Sequence, residues 1–143
     1  MIICIYGVAV FVTVGLTILA QSKSIRTAGT LIALTWVLGV FSFFYLNVEG
    51  YFVFAVMLDT IIAHHFWRMA KVELFPAPLC IILLFEITFI VFATSVGLAN
   101  HATLFVLNRI FELILLYLIG CSLFRIAIRK LRKDHMERHP GNY

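Results

Sequence analysis

Four ionisable residues interrupt runs that are otherwise apolar. Asp59 lies within YFVFAVMLDTIIAHHF, Glu86 within LCIILLFEITFIVFATSV, and Arg109 and Glu112 within LFVLNRIFELILLYLIG. Carboxylates in apolar surroundings can exchange protons or hold a cation, whereas an arginine keeps its charge there and must be compensated. A soluble helix turns such residues to a solvated face, but these runs leave little face to solvate. The chemistry is that of a polar cluster inside a membrane. Each such group costs roughly 2.5–3.5 kcal/mol on insertion scales and is expected to face the others or a wet cavity.

Composition demands the same setting. Hydrophobic residues make up 63% of the 143 and charged residues 13%, against roughly 45–50% and about 25% in soluble domains. The mean hydropathy of +1.06 agrees. Lipid solvates that excess, whereas a soluble fold would have to hide it beneath a polar surface. The length fits one domain. Cys4, Cys80 and Cys121 lie far apart with no metal-ligand spacing, and an odd count excludes a complete disulfide framework within one chain. They read as buried, inert thiols.

The elements that must position the charges read as five spans, at about residues 1–20, 27–46, 51–70, 79–98 and 103–124, followed by a basic tail at 125–143. Each span has about the twenty residues a bilayer requires. The first lacks the basic n-region of a cleaved signal and is expected to be a permanent helix. Gly29 with Ala33, and Ala93 with Gly97, are small pairs at four-residue spacing that let helices approach closely. Asn47-Val48-Glu49-Gly50 reads as a turn, and Pro76 and Pro78 punctuate the link before span four. Span five is expected to run on as one helix into the tail.

Basic residues fix an orientation. Lys23, Arg26, Arg68 and Lys71 follow spans one and three, and Arg125, Arg129, Lys130, Arg132, Lys133 and Arg138 lie in the tail, whereas the links after spans two and four carry no Lys or Arg. This asymmetry predicts an outside N-terminus and a cytoplasmic C-terminus in a bacterial-type cytoplasmic membrane, and an odd number of spans. The tail belongs on anionic lipid headgroups, so the net charge of +4 does not imply a nucleic-acid partner. A docking site for a cytoplasmic partner is its sharper use.

Asp59, Glu86 and Glu112 fall within about one helical turn of their span centres, with Arg109 and Asn108 beside Glu112. Arg109 and Glu112, three apart, can pair within one helix. Fully ionised, the cluster of three carboxylates and one guanidinium carries −2, so Asp59 or Glu86 is expected to be protonated or paired with a cation. That is what a proton relay or cation site needs; the bland alternative is polar glue between helices. Thr60, His64 and Arg68 form a second polar stripe, with His65 beside it, of interfacial or pore-lining kind. No facing intramembrane histidine completes a haem site, since His101 falls in a link and His135 and His139 in the tail. Neither glutamate belongs to a Glu-x-x-His pair of the di-iron kind, so no metal or other cofactor is expected. GxSxG, HExxH and phosphate-cradling glycine loops are lacking, and no enzymatic activity is expected.

The leading expectation is therefore a proton- or cation-coupled transporter or channel acting as a homo-oligomer. The alternative is an accessory, assembly or immunity-type subunit that binds a partner's membrane helices, and the third reading is a lysis pore. In size, span number and basic tail the chain resembles phage holins and the membrane immunity proteins that protect against pore-forming bacteriocins. That likeness is of shape and involves no motif.

Overall fold

A computed structural model describes residues 2–138, with side chains from Cys4 to Arg132. Five helices follow one another: α1 (Ile2–Leu19), α2 (Lys23–Tyr45), α3 (Val48–Ala70), α4 (Pro76–Ser95) and α5 (Asn100–Arg138). Four of them, α2 to α5, are long and apolar enough to cross a membrane, and α1 is a shorter apolar helix. Sequential helices pack side by side, α5 closes back on α1, and α2 also touches α5. The result is two compartments sharing the α2–α5 contact, one bounded by α1 and the other by α3 and α4. We call the end bearing the starts of α1, α3 and α5 the upper end.

Local chemistry explains where the helices begin and stop. Asn47 caps α3, its Oδ1 accepting from the Gly50 amide at 2.8 Å, so Val48, Glu49 and Gly50 form the first helical turn where a free turn was expected. Glu49 there complements the positive end of the helix dipole. Pro76 opens α4, a position where the missing amide costs nothing. The prolines thus start the helix three residues earlier than predicted. It also ends earlier, at Ser95. Gly97, expected inside the span, instead adopts φ 67°, and Leu98 N donates to Ala93 O at 2.9 Å while Gly97 N donates to Thr94 O at 3.3 Å. This is a Schellman stop, which favours a residue without a side chain. Gln21 takes the same left-handed conformation, φ 50°, after α1.

The predicted close approach at Gly29 is present. A Cβ there would lie 2.5 Å from the Thr17 hydroxyl, so α1 and α2 touch through this glycine. Buried Thr13, Thr17, Ser42 and Ser122 each donate to a carbonyl of their own helix. No fully buried side-chain nitrogen or oxygen among the described residues lacks a hydrogen-bond partner, as an interior without water requires. The expectation for the cysteines holds for Cys80, whose thiol meets Ala63 O at 3.4 Å. It fails for Cys4, which is exposed, because α1 turns that face away from its neighbours.

At the lower end two contacts tie α5 to the link before α4 and to the end of α1. Tyr117 donates to Phe75 O at 2.8 Å and stacks on its ring, and Arg129 reaches Leu19 O, the last turn of α1, at 3.5 Å. α5 then continues past the bundle as one helix. Arg125, Arg129, Lys130 and Arg132 are all exposed there; the side chain of Lys133 lies outside the described ones.

Candidate functional site

Helix rotation decides which charges meet. On α3, Phe52, Asp59, Ile62 and Phe66 are buried, so their spacing of seven, three and four sets the core face and carries Asp59 inward. On α5 the core face is Leu107, Ile110, Ile114 and Leu118. At about 100° per residue that leaves Arg109 on the opposite side of the helix.

Asp59 and Glu86 border one cavity of about 360 Å³. It lies mostly in the compartment between α2, α3, α4 and α5, with Tyr6 of α1 completing the wall. Asp59 is only 5% exposed and Glu86 is half-buried. The eleven residues from Val48 to Asp59 place the latter roughly 17 Å from the start of α3 at 1.5 Å per residue. No Lys, Arg or His lines the cavity, and the single ion pair among the described residues lies elsewhere. Asn108, though exposed, reaches the cavity rim. Two acidic groups from adjacent helices thus border one space with no fixed cation on its wall. Such a space can accept protons or a cation.

Arg109 and Glu112 are not part of that wall. The expectation that all four charges share one interior volume is corrected: they divide two and two. Arg109 Nη1 donates to Glu112 Oε2 at 2.6 Å, with side-chain exposures of 58% and 34%, and the guanidinium stands 5.1 Å over the Phe105 ring. The other Glu112 oxygen, Oε1, accepts from the Tyr6 hydroxyl at 2.6 Å. The pair therefore joins α5 to α1 on the outer surface of the bundle, and its charges satisfy each other. Tyr6 connects the two regions, since its ring borders the cavity and its hydroxyl holds Glu112.

Thr60, His64, His65 and Arg68 are all exposed on the outer side of α3. The Thr60 hydroxyl donates to its own helix at Val56 O, 2.7 Å away. The stripe lines neither cavity, because the face that buries Asp59, Ile62 and Phe66 turns residues 60, 64 and 68 outward. A larger recess of about 790 Å³ lies near the upper end between α3, α4 and the start of α5. Its walls are mainly apolar, Phe52, Val53, Val56 and Met57 among them, and Glu49 is its one charged residue.

Sequence reasoning missed the aromatic wall of the smaller cavity: Tyr6, Trp36, Phe43, Tyr51 and Phe111. Aromatic residues are common in apolar spans, so type alone gave little signal. Tyr6 was the exception, a phenol hydroxyl some seven Å, at 1.5 Å per residue, into a run whose other polar side chains are Thr13 and Thr17.

Compared with family models, with curated proteins and with solved structures, the chain matches none.

Proposed function

We propose that the chain is a five-span membrane protein, N-terminus outside and C-terminus cytoplasmic, whose Asp59–Glu86 cavity binds and passes protons or cations. The observation that carries this reading is the pairing of two carboxylates from α3 and α4 on one cavity that no basic side chain lines. Leaving both groups uncompensated in a low-dielectric interior is costly unless something mobile neutralises them. The cavity is bordered by one copy of the chain, so a homo-oligomer is not needed to assemble it. The basic asymmetry of the links and the long basic extension of α5 support the orientation.

Vesicles containing the purified protein and a pH-sensitive dye test the proposal. Wild type should pass protons or exchange them for cations, and Asp59→Asn and Glu86→Gln, which keep shape but not titration, should abolish the flux. Flux no greater than in empty vesicles, or unchanged in both variants, overturns it. For orientation, reporters fused after Asn47 and after Tyr143 should signal opposite compartments; matching signals sink the five-span topology.

A second reading is favoured by Arg109. Nine residues into α5 it is about 14 Å from the helix start, near the middle of a hydrocarbon core roughly 30 Å thick, on the outer surface. Exposing it to lipid is expensive even when paired. A helix of another membrane subunit covering this face would remove that cost. Counting subunits by stepwise photobleaching in bilayers tests the case of a second copy: two or more steps support it, and single steps exclude it.

A further inference from the structure

We infer that the cavity takes an organic cation, a small alkylammonium with its charge buried among carbon atoms, and not a bare metal ion. The inference rests on the cavity's being a cation site and adds the class of cation. Its observation is the wall itself: Tyr6, Trp36, Phe43, Tyr51 and Phe111 surround the space that Asp59 and Glu86 enter.

Consider first what an inorganic ion would need. Calcium takes six to eight oxygen ligands and magnesium keeps much of its water in octahedral order. Here the wall offers two carboxylates, the Asn108 amide at the rim, the phenol oxygens of Tyr6 (engaged by Glu112) and Tyr51, and the hydroxyls of Thr35 and Ser42. The Thr35 and Ser42 hydroxyls already donate to Leu31 O at 2.8 Å and Gly39 O at 2.9 Å on their own helix. The remaining surface is mostly aromatic and aliphatic carbon, against which an inorganic ion would lose its hydration without replacement. The cavity volume of about 360 Å³ is also on the order of ten times a water molecule's share of the liquid. One dehydrated metal ion would leave most of it unfilled.

An alkylammonium meets the opposite case. Its charge is weakly hydrated, its alkyl surface suits an apolar wall, and aromatic faces attract it electrostatically. The rings are set before it arrives. Tyr6 stands edge-to-face with Phe111 at 6.0 Å and Phe43 with Tyr51 at 5.7 Å, and the Tyr6 hydroxyl is held by Glu112. Gly7 leaves room for the Trp36 indole: a Cβ there would stand 3.2 Å from the ring. Arg109, the one Lys or Arg of α5 before Arg125, is turned outward and neutralised by Glu112, so it neither fills the cavity nor repels a guest. Rings attract, carboxylates neutralise, and nothing fixed competes.

Trp36 supplies the readout. The chain has two tryptophans, and the other, Trp67, is exposed beyond the cavity, so Trp67→Phe leaves Trp36 as the sole indole. In this protein, in lipid nanodiscs, tetraethylammonium should change the Trp36 emission saturably. Its affinity should fall at least tenfold in Asp59→Asn and in Glu86→Gln, and about tenfold in Tyr51→Leu but not in Tyr51→Phe, each checked for unchanged helical circular dichroism. Affinity should also weaken as pH falls, because protons compete for the carboxylates. No saturable change overturns the inference. Equal binding of neutral 3,3-diethylpentane overturns it in favour of an uncharged apolar pocket. Equal saturation by sodium overturns the organic class while leaving a cation site standing. Tetraethylammonium binding without any vesicle flux upholds the inference and refutes transport, so the two failures are told apart.

Discussion

Glu86 and Glu112 are the same side chain at similar depth on helices that touch, and they live in opposite circumstances. Both oxygens of Glu112 are engaged, one by Arg109 and one by Tyr6. Glu86 shares a cavity with a second carboxylate and with no cation. The first is a joint between α5 and α1, its charge neutralised by the chain itself. The second has no counter-charge on the cavity wall, and under the proposed function a mobile proton or cation supplies it. A carboxylate in a membrane is not functional merely by being there; what distinguishes the two is whether the protein supplies the counter-charge.

Four substitutions probe that difference. Arg109→Leu should have the largest effect, because it strips Glu112 of its counter-charge; an ionisable group left unpaired at that depth costs roughly 2.5–3.5 kcal/mol. Titrating the protein with sodium dodecyl sulfate and following helical signal measures the loss. If stability barely changes, the pair is not a joint and the contrast collapses. Tyr6→Phe keeps the ring on the cavity and removes only the hydroxyl donor to Glu112. A hydrogen bond to a charged group contributes about 1.5–3 kcal/mol, so this change should destabilise less than Arg109→Leu, in the same titration. It should also leave flux largely intact, which separates the two things Tyr6 does.

Smallest in stability are Asp59→Asn and Glu86→Gln. Each removes a group that the chain leaves without a counter-charge, and such changes are neutral or stabilising, here expected within about 1 kcal/mol. The same two variants should be the most damaging to flux. A stability loss matching that of Arg109→Leu would make these carboxylates structural glue and erase the distinction between the two regions.

Element count and order were legible in the sequence, since five apolar runs separated by polar links correspond to five helices. Boundaries were less so. By type Asn47 reads as part of a turn, whereas it caps α3, and Pro76 reads as a break, whereas it is the first residue of α4. The Arg109–Glu112 pair was legible because a three-residue spacing fixes it within one helix, whatever that helix packs against. The sharing of a cavity by Asp59 and Glu86 was not fixed by any spacing, as they belong to different helices.

What the sequence by itself determined is how much of the chain is apolar, where the runs stop, and at what depth each charge must lie. Depth follows from counting residues along a helix, because the rise per residue is constant. Only the tertiary structure decided direction around each helix axis. A helix that is apolar nearly all round carries no stripe to say which side is inward. Asp59 faces in and Arg109 faces out because of which neighbours α3 and α5 pack against. Packing between helices, invisible along any one of them, therefore divided four equally conspicuous charges into an internal acidic pair and an external ion pair.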